Sequence, residues 1–438
     1  MRHHIKFILI ILGCTISTFV MAQKKGQVKP PDLTTKIATL ASQHEAQVIE
    51  WRRHMHQYPE LSNREYKTMA YIAENLKGLD ITIETGMAHT GVVAVLDSGK
   101  PGPVIGLRAD MDGLPVRERV KLPFASIEET EYLGQKVGIM HACGHDSHVA
   151  ILMGTAKILS SIKSELKGKI VFVFQPAEEG APTGEEGGAA LMIKQGLIDK
   201  YGIEVMYGLH ISSVTDVGTI TYKPLGAMAA ADQFSIKIKG KQVHGSRPWK
   251  GVDPIVAAAQ VILGLQTIIS RQTDLTNEAA VITVGKISGG VRNNIIPEEV
   301  EMIGTIRTLD TAMQKIVHEK IKLTAEKIAE SSGATAEVEI KIGYPVTFNN
   351  PQLTAKMLPS LEKVAGEDNV RVVKASTGAE DFSFYAKKVP GLFFFLGGKP
   401  KNIDTIDASQ HHTPDFYIDE SGFILGMKAL AQLVIDTK

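Results

Sequence analysis

Only two cysteines, Cys14 and Cys143, occur in 438 residues, so a disulfide framework is excluded. Forty-eight basic residues balance forty-eight acidic ones, which leaves no surplus charge for holding a nucleic acid or an anionic membrane surface. A phosphate-binding loop and a dinucleotide fingerprint are both missing. Gly285, Gly289 and Gly290 come nearest, without the required spacing. Internal repeats and low-complexity tracts are absent too. The remaining composition is ordinary for a globular protein, 44% hydrophobic and 22% charged, and the length suggests two or three domains.

The N-terminus reads as an export segment over residues 1–22. Met1 to Lys6 is basic, and Phe7 to Val20 is apolar but short for a lone membrane span. Val20-Met21-Ala22 supplies a small-residue cleavage point before Gln23. Leu12-Gly13-Cys14 also resembles a lipobox, so lipid anchoring at Cys14 is the alternative to simple export. Either route places the mature chain outside the cytoplasm, as a periplasmic or secreted protein. If Cys14 is removed, Cys143 is a lone thiol in an oxidising compartment, which is easiest to understand when a metal holds it.

Chemistry concentrates in His141-Ala142-Cys143-Gly144-His145-Asp146-Ser147-His148. Cys143 and His145 stand two apart, so an extended or sharply turned backbone can aim both at one ion. A thiolate with an imidazole favours a borderline-soft divalent ion such as zinc over calcium or magnesium. A loop with a buried cysteine and surface histidines is the bland alternative, and three strand-like runs weaken it. Val104 to Asp110 leads into Asp112; Lys169 to Phe174 leads into Glu178-Glu179; Glu204 to Leu209 closes on His210. Open α/β sheets keep their chemistry at strand ends. Of two adjacent carboxylates, one can bind metal while the other moves protons.

These residues resemble the M20 family of metallopeptidases, in its amidohydrolase branch of N-acyl-amino-acid, hippurate and auxin-conjugate hydrolases. The resemblance rests on Leu107-Arg108-Ala109-Asp110-Met111-Asp112-Gly113, Met140 to Asp146, Gln175-Pro176-Ala177-Glu178-Glu179-Gly180, Gly208-Leu209-His210, Val243-His244-Gly245, Gly304 to Thr308, Gly378-Ala379-Glu380-Asp381-Phe382 and His412-Thr413-Pro414. The motifs keep family order from about residue 45 to the C-terminus. The resemblance implies two divalent ions (Zn, Mn, Co or Ni) held by Cys143, His145, Glu179, His210 and His412, with the cysteine bridging. Choosing His412 over His411 rests on the Thr-Pro that follows. It further implies Glu178 as general base and acid for attack by a metal-activated water. Asp112 then orients a ligand, His244 stabilises the oxyanion, often in a partner subunit, and Asn294 and Arg307 approach the substrate, the arginine suited to a carboxylate.

The implied fold is α/β: a mixed-sheet metallopeptidase catalytic domain over residues 33–227 and 345–438, interrupted by a ferredoxin-like α+β lid and dimerisation domain over 228–344. The order strand, helix, strand, strand, helix, strand between Gln233 and Ile342 agrees with that insertion. The implied activity is hydrolysis of the amide bond of an N-acyl amino acid by a homodimer. A dipeptidase or carboxypeptidase of the same fold is the alternative; a catalytically silent binding protein and a metal-storage or delivery protein are further ones. One departure stands out: many relatives carry a second histidine where this chain has Trp249, after Pro248.

Overall fold

The computed structural model describes Met1 and residues 32–438. Apart from Met1, the expected export segment, with Cys14, lies outside the described residues. The described residues run through α1 (Leu33–Gln57), then β1 (Thr82–Met87), β2 (Gly91–Asp97), β3 (Val104–Asp110), α2 (His145–Ser161), β4 (Lys169–Gln175), β5 (Val205–Asp216) and β6 (Ile220–Tyr222). A second run follows: β7 (Ala230–Lys239), α3 (Pro254–Gln272), β8 (Ala280–Gly289), β9 (Glu299–Thr308), α4 (Thr311–Ser331) and β10 (Thr335–Tyr344). The chain then returns through α5 (Pro351–Ala365), β11 (Val370–Val372), β12 (Gly391–Lys399) and α6 (Phe423–Asp436).

The large sheet has eight strands in the order β1-β2-β4-β3-β5-β12-β6-β11. Its centre, β4-β3-β5-β12, is parallel, and antiparallel pairs flank it. Ile170 to Phe174 of β4 are buried on both faces, which is why that run is continuously apolar rather than alternating. α2 is buried almost all round, packed between β3, α1 and α6. It starts at His145 because Gly144 takes a left-handed turn (φ +89°); a Cβ there would stand 2.4 Å from the Ile211 side chain. The helix therefore begins four residues before the apolar run at Val149 suggests.

The four-stranded sheet, β8-β9-β7-β10, is wholly antiparallel. With α3 and α4 on one face it is a ferredoxin-like βαββαβ unit. Phe234, Ile236 and Ile238 of β7 alternate inward onto Val261, Leu265, Val317 and Ile321 of the helices, forming a core of their own. The opposite face carries the charged side chains of Lys237 and Glu299, 3.5 Å apart. Tyr344, at the end of β10, donates from its hydroxyl to the Glu178 carbonyl at 2.7 Å, so this unit is tied directly to the Glu178–Glu179 loop.

Candidate active site

Five segments converge at the C-terminal edge of the parallel strands, the fifth being the loop that carries His412. Asp110 and Asp112 leave β3, Glu178 and Glu179 follow β4, and Cys143 precedes α2. His210 differs from the expectation of a strand end. β5 runs on to Asp216 because β12 stays paired alongside it, whereas β3 leaves β5 at Gly208, so His210 opens into the space β3 vacates. Two strained non-glycine residues hold the loops: Ala177 (φ +54°) turns Glu178 inward, and His412 itself sits at φ +61° with its N–H on Ala142 O at 2.9 Å.

The five expected ligands come together. Cys143 Sγ lies 3.4 Å from His210 Nε2 and 3.3 Å from His412 Nε2. His412 Nε2 is 3.1 Å from Glu179 Oε1, and His145 Nε2 is 3.9 Å from the same oxygen. Side chains from beyond the five complete their orientation. Asp112 Oδ1 accepts from His145 Nδ1 (3.2 Å) and from the Glu178 N–H (3.1 Å). Its Oδ2 accepts from the Glu179 N–H (3.0 Å) and the Ser62 hydroxyl (2.7 Å). His210 Nδ1 donates to Ile211 O at 2.6 Å, which leaves its Nε2 lone pair toward the sulfur. His148 accepts the Ile211 N–H at 2.7 Å and donates to Asp110, so it braces the β5 backbone and is itself saturated.

Do these residues fit a metal? His145 Nε2, fully buried, has no hydrogen-bond partner and faces Glu178 and Glu179. Burial opposes a charged His145, yet Asp110, Asp112 and Glu179 outweigh it and push its pKa up to about 10. Burial, followed by Glu179, Glu178 and Asp110, raises the Cys143 thiol well above its ordinary range. Burial, then Glu380, Glu179 and Asp381, raises Glu178 likewise. The pocket thus holds more acidic groups than Arg108 balances, together with an orphaned imidazole nitrogen aimed into it. Thiol, imidazole and carboxylate donors suit borderline divalent ions, and the residues fit.

Behind Glu178 lies a buried ionic cluster. Arg108 bonds Asp110 (2.7 Å), Glu380 (2.8 Å) and Asp381 (2.6 Å), and Gln175 bonds Asp381 at 2.8 Å. Burial, with Asp110 and Asp381 adding to it against Arg108, pushes Glu380 up to about 8. The Gly378–Asp381 loop was legible as part of the family resemblance; its tie to Arg108 was not. The signal for it is Arg108 itself, a lone guanidinium inside an otherwise apolar strand, which demands buried acidic partners.

Three expected groups are not at this site. Arg307 donates to Thr305 and to Ile306 O on its own sheet, and it does not line the site's cavities. His244 and Asn294 sit on two neighbouring exposed segments, joined through the Gly245 N–H to Asn294 O bond at 2.8 Å, and do not line the site's cavities. Trp249 lies nearby, 74% exposed, and shapes no part of those cavities. His411 was set aside in favour of His412, yet its Nδ1 also stands 3.7 Å from Cys143 Sγ.

Glu179 lines two cavities. One, of about 520 Å³, runs over Cys143, His210, Val214, Met228, Val373 and Phe395. The other, of about 720 Å³, runs over Leu61, Arg64, Leu114 and Tyr132. Lys374 lines the first and, histidines aside, is the one cationic side chain among the described residues that does so.

Comparison with known proteins agrees with this geometry. Residues 106–436 match the model of peptidase family M20/M25/M40. An N-acetyl-L-cysteine deacetylase of Bacillus subtilis strain 168 is 40% identical over 382 residues, 87% of this chain and 85% of that protein. Thermostable carboxypeptidase 1 of Saccharolobus solfataricus is 37% identical over 406 residues, 92% of this chain and 98% of that one. A crystallised dinuclear metal-binding peptidase from Bacillus subtilis superposes with a TM-score of 0.75 at 34% identity, covering 91% of this chain and all of that one. This chain therefore belongs to peptidase family M20/M25/M40 and is a metal-dependent hydrolase of amide bonds.

Proposed function

We propose that the chain hydrolyses N-acyl amino acids, releasing a carboxylic acid and a free amine. The observation that carries this reading is the placement of Glu178 beside a thiol, three imidazoles and Glu179, where two cavities meet. Cys143, His145, Glu179, His210 and His412 are the groups that hold two divalent ions. Bound there, such ions supply Lewis acidity, lowering the pKa of water and polarising a carbonyl oxygen. Glu178 takes the proton from the attacking water and returns it to the nitrogen as the C–N bond breaks. Asp112 aims both neighbours through its bonds to their N–H groups. The apolar wall of Val214, Met228, Val373 and Phe395 suits a hydrocarbon portion of the substrate, and Lys374 suits its carboxylate.

The chain is further proposed to act outside the cytoplasm, on the strength of its N-terminal residues, and as a homodimer through the ferredoxin-like unit. Exposed Val256 and Leu263 on α3 support the dimer, as does the position of His244 and Asn294 away from the chain's own site. In such a pair His244 serves the other copy's oxyanion. The 37% identical carboxypeptidase favours a second reading, in which the same chemistry acts on a C-terminal peptide bond.

A panel of N-acyl amino acids and dipeptides, incubated with the mature chain with and without zinc, manganese, cobalt or nickel, tests the proposal. Metal-dependent amine release from acyl amino acids supports it. Release from peptides alone establishes the second reading.

A further inference from the structure

His411 has a hydrogen-bond pattern that assigns its proton. Its Nε2 accepts the backbone N–H of Ser213 at 3.1 Å, so that nitrogen carries a lone pair. An imidazole whose Nε2 accepts a hydrogen bond carries its N–H on Nδ1, and Nδ1 faces Cys143 Sγ at 3.7 Å. The ring is also fixed in plane by Phe416, with centroids 4.9 Å apart. A nitrogen that carries a proton toward the sulfur has no lone pair for an ion beside it. His412 differs in kind: its Nε2 reaches both Cys143 Sγ and Glu179 Oε1.

We infer that His411 is a positioning residue that donates an N–H···S hydrogen bond to the Cys143 sulfur, and is not a metal ligand. The bond fixes the direction of the sulfur lone pairs between His210 and His412 and draws electron density from the thiolate. The inference rests on the reading of Cys143 as a metal ligand.

Cobalt loading tests it without any substrate. Three forms of the chain are compared: unsubstituted, His411→Phe, which keeps a ring against Phe416 but has no donor, and His411→Asn, whose amide N–H can occupy the Nδ1 position. A thiolate-to-cobalt absorption band is expected in the unsubstituted chain. The band moves to lower energy in His411→Phe, returns in His411→Asn, and all three forms bind the same number of cobalt ions. Cobalt affinity falls about 10- to 100-fold in His411→Phe. Loss of one cobalt equivalent in His411→Phe would overturn the inference by making His411 a ligand. An unmoved band with unchanged affinity would overturn it by leaving His411 as packing. A missing band in the unsubstituted chain would remove Cys143 as a ligand, and the inference with it. Amine release is measured separately, so a failure of the proposed activity is distinguishable from a failure here.

Discussion

Asp112→Asn removes an acceptor from the carboxylate that holds the Glu178 and Glu179 N–H groups. The side chain keeps its volume, but one oxygen becomes an NH₂ group that cannot accept. Asp112 is buried and accepts four hydrogen bonds, two on each oxygen. Placing the NH₂ at the Oδ1 position would set it against both the Glu178 N–H and the protonated His145 Nδ1. Placing it at Oδ2 sets it against the Glu179 N–H and the Ser62 hydroxyl, and a hydroxyl can rotate to accept. The amide therefore turns its NH₂ toward Ser62, and one donor, the Glu179 N–H, is left unmade. A single buried unmade donor costs about 1–3 kcal/mol of stability. The larger effect is on Glu179, whose peptide is freed, so metal affinity falls roughly 10- to 100-fold. Competition against a chromophoric chelator reads the affinity, and thermal melting of the metal-free chain reads the stability. Wild-type affinity in Asp112→Asn would refute the argument that this carboxylate orients the ligand loop.

Three other outcomes follow from particular groups. Metal binding at pH 7 should release at least two protons per chain, because the metal-free Cys143 thiol and His145 are both protonated there; calorimetric heats would then depend on buffer ionisation enthalpy, and buffer-independent heats would contradict this. Lys374→Met should lower kcat/KM for N-acyl amino acids about 10- to 100-fold while leaving the corresponding amides unaffected, since a charged hydrogen bond is lost only with the acids; equal losses on both would exclude a carboxylate contact. Asp232 of β7 resists the cost of its burial through bonds from His318 (2.8 Å), Gln314 (2.7 Å) and the Gly343 N–H (3.0 Å), and its pKa is lowered. A depressed folded pKa means its contribution is full above the ordinary value of 3.8 and is lost as pH falls through the folded value. The stability gap between the wild type and Asp232→Asn should thus be widest at neutral pH, about 2–4 kcal/mol, and close in acid; a gap that widens in acid would reverse the assignment.

Much of the catalytic edge was legible because its residues fall in short runs next to strongly apolar strands. Val104–Asp110 and Lys169–Gln175 announce themselves by composition, and the chemistry follows within a few residues of each end. The ferredoxin-like unit was legible through its alternation in Gln233–Lys239 and its element order. Long-range pairing was not. Arg108 meets Asp381 across 273 residues of sequence, and no local pattern specifies that partner. The choice between His411 and His412 likewise depends on Ser213, a residue far from both whose N–H decides the tautomer. His244, Asn294 and Arg307 were carried by resemblance to family positions, and the fold of a single chain does not bring them to the cavity they were expected to serve.

The most direct test of the account is amine release by Glu178→Gln, with metal content measured on the same sample. Glutamine preserves the shape of Glu178 but can neither accept nor return a proton. Glu178→Gln is expected to retain its full complement of metal while kcat falls roughly 10²- to 10⁴-fold. Turnover at the wild-type rate with metal bound would contradict it, because the proton would then be moved by some other group.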